Sequence, residues 1–404
     1  MSLTHLLDVI PSTTALTRSN CLTAGAAAIG LALLLGRLRN RSELQQPADN
    51  VIPSPLTTAL PSLSPEEIRQ LAYPPDLFPG ARDVDSLFGT FRVYEWGPEE
   101  GRKVLLVHGI STPCVSLGGV AHELVKRGYR VMLLDLYGRG WSATPSDTPH
   151  DARLYNTQIL HALASSPLPW TQPNGFALVG YSLGGGIAAS FTSTFPALIS
   201  SLVLIAPSGL IRPAHFTASS KLLYALAPLV PKNLLFTLVR KRLMGSGPPP
   251  NPAANTSPET KVPEEALAQE APQTPNLSLA NVADAVLWQL HHHDGFMAAF
   301  ASSIRHAPIT GQDKAWARIG ARLTAQHAAP SDEEAARVGL LHGKALLLFG
   351  AEDTVIVQRE VEPDATELLG GSENVEVKSF QVGHELPVLL PAEVAKAIWE
   401  FWGE

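Results

Sequence analysis

The stretch Phe176-Ala-Leu-Val-Gly-Tyr-Ser-Leu-Gly-Gly-Gly-Ile-Ala-Ala-Ser190 joins an apolar run to a cluster of small residues, with one serine, Ser182, at the junction. A continuous apolar run suits a strand buried on both faces, and the glycines and alanines after it let a helix lie close on the sheet. Serine favours neither a strand interior nor a helix interior, so its position at the hand-over wants a reason. Gly180-Tyr-Ser-Leu-Gly184 has the G-x-S-x-G form of a strained strand-to-helix turn, in which side chains two residues before and after the serine would clash. The first N–H groups of the helix then point at whatever lies over the hydroxyl, an arrangement suited to a nucleophile whose substrate develops negative charge on a carbonyl oxygen. The pentad alone leaves a second reading open, in which Ser182 merely caps a Gly-rich helix.

A neutral serine hydroxyl is a weak nucleophile and needs a base, itself oriented by an acid. Both follow in the order Ser, acid, His. Asp353 lies in "LLLFGAEDTVI", at the carboxyl end of a strand-like run, with Glu352 beside it as the rival acid. His384 lies in "FQVGHELP", between the last strand-like run and the closing amphipathic segment "PAEVAKAIWEFW". The runs "GTFRVYEW", "KVLLVHG", "RVMLLDLYG", "FALVGY", "SLVLIAP", "ALLLFGAED" and "VEVKSFQVG" alternate with helical patterns. That alternation predicts an α/β fold with a mostly parallel central sheet flanked by helices, whose ligands gather at the carboxyl ends of the strands.

The whole chain of 404 residues is 45% hydrophobic and 17% charged, with a formal net charge of -7. It is long enough to bury a large core, and it has no basic field of the kind that binds nucleic acid. Its two cysteines, Cys21 and Cys114, form no disulfide framework, and no Cys/His spacing indicates a metal. "DLYGRGWS" is too short for a G-x-G-x-x-G loop and reads as a tight turn near the site's rim, so no cofactor is expected.

After an N-terminal tail (1–19), the apolar run Cys21–Gly36 is followed by Arg37, Arg39 and Arg41. Residues 20–41 are therefore expected to be a membrane anchor with the remainder on the cytosolic side; a mitochondrial address and a cleaved signal are the rivals. Residues 42–81, rich in Pro and Ser, read as a tether, with the core in two parts, 82–207 and 313–404. Between them, 208–312 reads as an inserted helical cap, with one helix over 215–244 and one over 282–305. A disordered insertion over 245–279 interrupts it. In the cap, Trp288, Phe296, Met297 and Phe300 are expected to line a substrate cavity together with one or two of His291, His292 and His293. The leucine-rich segment carrying Lys232, Arg240, Lys241 and Arg242 is expected to rest on an anionic membrane and admit an apolar substrate.

Taken together, "LLVHGIST", "LLDLYGRGWSATP", "LVGYSLGG", "LLLFGAEDTVI" and "VGHELP" resemble, in order, the motifs of the α/β-hydrolase fold superfamily, over roughly residues 82 to 403. The resemblance implies Ser182 as nucleophile, Asp353 as acid and His384 as base. It also implies an oxyanion hole from the backbone amides of Ile110 and Leu183. Serine in place of aspartate departs from the dehalogenase and epoxide-hydrolase branches, and the absence of an HGGG stretch implies the branch with an inserted cap. The expected activity is that of a membrane-tethered serine hydrolase that cleaves a lipophilic, acylglycerol-like carboxylic ester through an acyl-enzyme. A thioesterase, lactonase or carbon-carbon hydrolase is the alternative within enzymes, and a non-catalytic ligand-binding protein the alternative outside them.

Overall fold

A computed structural model describes residues 50–172, 175–212, 277–329, 331 and 340–404. In chain order its elements are β1 Val51–Ile52, α1 Pro65–Arg69, β2 Arg82–Val84, β3 Phe91–Trp96, β4 Lys103–Val107, α2 Gly118–Lys126, β5 Arg130–Leu134, β6 Thr144–Pro145, α3 Ala152–Ala164 and β7 Phe176–Tyr181. There follow α4 Leu183–Thr194, β8 Ile199–Ile205, α5 Leu279–His292, α6 Phe296–His306, α7 Asp313–His327, β9 Ala345–Gly350, α8 Gln358–Leu368, β10 Val375–Phe380, α9 Leu386–Leu389 and α10 Pro391–Phe401.

Each of the strand-like runs from "GTFRVYEW" to "VEVKSFQVG" contains a strand. An eight-stranded sheet has the order β10-β9-β8-β7-β4-β5-β3-β2. From β10 to β5 each neighbouring pair is parallel, while β3 runs antiparallel to both β5 and β2. Leu105, Leu106, Val179, Leu204 and Leu347 are fully buried, as central strands with helices on both faces require. Small residues let the helix α4 sit close to its neighbours: a Cβ at Gly180 on β7 would stand 2.8 Å from Cβ of Ala188, one at Gly185 2.6 Å from Cβ of Pro207 after β8, and one at Gly186 2.1 Å from the Pro308 carbonyl.

The tether expectation for 42–81 fails from Val51 onward. Val51 and Ile52 pair with Pro145 and Thr144 in a small second sheet. Tyr73 and Phe78 are buried, and the Phe78 ring stacks on Trp96 at 5.5 Å and 3°. The segment has no periodicity because it is pinned by single side chains rather than by a repeating face. A Ser64 capping box with Glu67 starts its short helix α1.

The segment between β8 and β9 also differs from expectation. Its described part opens with Ser278 capping α5, so the structured chain begins inside the 245–279 insertion rather than at residue 282. The single helix expected to 305 is two, α5 and α6, broken at His293–Gly295. The break follows from packing: a Cβ at Gly295 would stand 2.0 Å from Thr144 Oγ1, and the His293 imidazole is bonded to the Ser142 carbonyl at 2.8 Å. The anchor at 20–41, the helix expected over 215–244 with its basic residues, and most of the insertion lie outside the described residues. Among those described, no helix is long and apolar enough to cross a membrane.

Candidate active site

Ser182 sits between the end of β7 and the start of α4 with φ 55 and ψ -117, a conformation sterically unfavourable for any residue with a Cβ. The surroundings enforce it. Its N–H donates to Ile205 O at 3.0 Å, and its carbonyl accepts from Gly185 N and Ser208 N at 2.9 Å each. A Cβ at Gly180 would stand 2.2 Å from Gly184 O, and one at Gly184 would stand 2.0 Å from Val107 O, so both glycines of the pentad are required by contact.

Asp353 and His384 arrive from the carboxyl ends of β9 and β10. The His384 Nδ1 lies 2.7 Å from Asp353 Oδ2, and its Nε2 lies 3.0 Å from Ser182 Oγ. The carboxylate can only accept, so Nδ1 carries the proton and Nε2 offers its lone pair to the serine hydroxyl. The other oxygen, Asp353 Oδ1, accepts from Val355 N at 2.7 Å and Ile356 N at 2.8 Å, which holds the carboxylate in the loop. Asp353, not the neighbouring Glu352, makes the contact to His384. The Asp353 side chain is fully buried, whereas 18% of the His384 side chain remains exposed at the mouth.

The loop after β4 closes the site opposite the histidine. A Cβ on Gly109 would stand 3.7 Å from Ser182 Oγ, so the backbone of Gly109 lies close to the hydroxyl. The buried His108 contacts Gly109 O through Nδ1 at 2.8 Å and accepts from Leu136 N through Nε2 at 2.9 Å. Burial pushes its pKa down to about 3, so it is a neutral, single-tautomer strut. Leu183 opens α4, where a helix leaves its first N–H groups without intrahelical acceptors. Of the two amides implied by the resemblance, Leu183 thus opens the helix after Ser182, and Ile110 follows Gly109 in the loop after β4.

The expected cavity lining is not brought to the serine in the same way. Trp288 lies 4.9 Å from Trp141 and borders a cavity of about 10 Å³ with Tyr73, Pro113, Gly140, Ala285 and Gln289, a set without Ser182. Phe296 is fully buried and meets Phe300 at 6.0 Å, a packing position under α6; Met297 and Phe300 are half-buried. Of the three histidines, His291 and His292 are exposed, and His293 is buried with both nitrogens used, on Ser142 O and Gly295 N.

Several site residues escaped the sequence reading. Tyr181 donates its hydroxyl to the His384 carbonyl, and its ring lies 5.3 Å from the imidazole. Arg139, in the turn read as a rim feature, is instead fully buried. Its Nε donates to Ile110 O at 2.9 Å and its Nη2 to Ser303 Oγ at 2.8 Å. The turn itself is as expected, with Gly138 at φ 77 and Gly140 at φ 51, where a Cβ on Gly140 would strike the Asp135 carboxylate. The GRG sequence signalled the turn but held no signal for where the arginine points.

Sheet order, elbow and order of motifs show that this chain has the α/β-hydrolase fold. The family model described as serine aminopeptidase, S33 matches residues 98–273, a span that includes Ser182. A serine hydrolase-like protein of Danio rerio is 27% identical over 118 residues, 29% of this chain and 35% of that protein, so the match spans about a third of the relative's length. Among solved structures, a hydrolase from Pseudomonas aeruginosa superposes with a TM-score of 0.56 at 16% identity, covering 80% of this chain and 98% of the other. Naproxen esterase (carboxylesterase NP) from Bacillus subtilis does so with 0.54 at 16% identity, covering 85% and 100%. At these identities the structural likeness establishes the fold.

Proposed function

We propose that the protein is a serine hydrolase that cleaves a carboxylic ester through an acyl-enzyme. The observation that carries this reading is the Ser182–His384–Asp353 chain, with contacts of 3.0 Å and 2.7 Å, seated on strained backbone beside two candidate amide donors. His384 Nε2 takes the proton from Ser182 as Oγ bonds to the ester carbon, and the negative charge moves to the former carbonyl oxygen, facing the amides of Ile110 and Leu183. The C–O bond to the leaving alcohol breaks as His384 returns the proton to it. A water then gives a proton to His384 and attacks the acyl carbon, and the bond to Oγ breaks as His384 returns that proton to it, releasing the acid and restoring Ser182. An esterase among the structural neighbours and serine hydrolase-like relatives support the reaction class.

The substrate in this reading is lipophilic, with the chain tethered to a membrane. Its support is the apolar run at Cys21–Gly36 with its arginine flank and the leucine-rich, basic segment at 219–244. Labelling of the full chain by a fluorophosphonate, lost in both Ser182→Ala and His384→Ala, tests the nucleophile. A series of p-nitrophenyl esters of rising acyl length tests the substrate class, and flotation with anionic vesicles before and after charge reversal at Arg240 and Lys241 tests the membrane contact. Cleavage of small polar esters only, with vesicle binding indifferent to the reversal, would sink the lipophilic reading. An unlabelled, folded wild type would sink the hydrolase.

A further inference from the structure

Three successive carbonyls of the loop beside Ser182 are each held by a different side chain. Gly109 O is held by His108 Nδ1 at 2.8 Å, Ile110 O by Arg139 Nε at 2.9 Å and Ser111 O by Gln289 Nε2 at 2.5 Å. In a trans peptide the N–H points opposite to the C=O, so holding the Gly109 carbonyl also aims the Ile110 N–H. The next two contacts stop the following peptides from rotating and carrying that amide away.

The third contact comes from far along the chain. Gln289 lies on α5, in the segment inserted between β8 and β9, and 178 positions separate it from Ser111. Its Oε1 accepts from Gly140 N at 3.1 Å while its Nε2 donates to Ser111 O, so both ends of the amide are used and its orientation is set by its partners. It belongs to the buried stripe Val282, Ala285, Val286 and Gln289, three of them apolar. A polar residue there, fully buried, is tolerated only because both of its ends are bonded, and an apolar side chain would serve packing alone equally well. Arg139 makes a parallel link, since its remaining nitrogens reach Tyr155 Oη at 3.0 Å and Ser303 Oγ on α6 at 2.8 Å.

We infer that Gln289 is a positioning residue that ties the inserted helices to the oxyanion-binding loop, so that the Ile110 amide is correctly aimed only while α5 is seated on that loop. The inference rests on the hydrolase reading above. Turnover of p-nitrophenyl butyrate and affinity for an aliphatic trifluoromethyl ketone, which forms a tetrahedral oxyanion on an active serine, test it in the full chain. Loss of a direct oxyanion donor costs about 10²–10³ in kcat, so for the indirect change Gln289→Leu the expected loss is roughly tenfold. KM should stay within about twofold, and ketone affinity should weaken by the same factor as kcat/KM.

Gln289→Glu supplies the second variant. Its carboxyl, when protonated, can donate to Ser111 O and accept from Gly140 N; when ionised it can only accept, and it repels the carbonyl. Its turnover relative to wild type should therefore fall as pH rises, while Arg139, His108, His293 and Asp135, the charged and titratable groups around it, are common to both proteins. Folded Gln289→Leu with native kcat and native ketone affinity overturns the inference. If that variant does not fold, a pH-independent ratio for Gln289→Glu overturns it. A wild type that neither turns over ester nor labels at Ser182 removes the hydrolase reading and this one with it, whereas an active wild type indifferent to position 289 removes only this one.

Discussion

The Tyr181 hydroxyl donates to the backbone carbonyl of His384 across 2.9 Å, joining the residue before the nucleophile to the base on a loop 203 positions later. Tyr181→Phe keeps the ring over the imidazole and removes only this bond. A single buried hydrogen bond contributes about 1 kcal/mol, so a comparable loss of stability is expected, with the freed His384 carbonyl adding to it. Because the loop that carries the base is loosened, kcat should fall several-fold with KM little changed. Denaturant melts and steady-state kinetics on the same preparation check both numbers.

Ser182 holds φ 55 against its own side chain, and strain of this kind amounts to about 1–3 kcal/mol. Glycine is free of that strain, whereas alanine keeps it. Both Ser182→Gly and Ser182→Ala should abolish turnover, but the glycine variant should be the more stable of the two by about 1 kcal/mol, after allowance for glycine's greater unfolded-state entropy. Equal midpoints in urea would show that the elbow stores no strain.

Phe78 is 1% exposed in a segment without sequence periodicity, between Trp96, Tyr94 and His122. Truncation of a buried phenylalanine to alanine typically costs about 3–5 kcal/mol. Phe78→Ala should show that loss in a chemical melt, and a chain starting at residue 82 should fail to fold. Native stability in either protein would return this segment to the status of a tether.

Three buried histidines make the fold acid-sensitive. Burial pushes His108 and His150 down to about 3 and His293 to about 4, from an ordinary value of 6.5. In the folded chain these rings are neutral below pH 6.5, while in the unfolded chain they take up protons, so stability is fully present above 6.5 and is lost as pH falls toward the folded values. Each group removes roughly 1.4 kcal/mol per pH unit across that window. Urea midpoints should drop steeply as pH falls from 6.5 toward 4, and His293→Gln, which restores a donor to Ser142 O, should flatten the slope by about a third.

The strands, the elbow, the order serine–acid–histidine and the closing helix were all legible in the chain because each rests on local chemistry. An apolar run next to a G-x-S-x-G turn demands a strand, a strained residue and a helix within fifteen consecutive residues. The anchors Trp288 and Phe296 were legible as apolar helix positions, but periodicity only says that a face is buried, and packing against Trp141 and Phe300 rather than the serine is a choice among buried surroundings. Residues 51–81 carried no pattern because Tyr73 and Phe78 dock singly, into sites made by strands that come later in the chain.

By itself, then, the sequence determined which residues are chemically able to act and the order in which a parallel sheet would deliver them. Tertiary structure alone decided how they are held. Arg139 and Gln289 are indistinguishable in sequence from any turn arginine or helix glutamine. Their partners, the carbonyls of Ile110 and Ser111, become reachable only when the segment between β8 and β9 folds back onto the loop after β4. Backbone carbonyls have no sequence signature, since every residue carries one, and a side chain that acts by bonding to them is therefore visible only after the chain has folded.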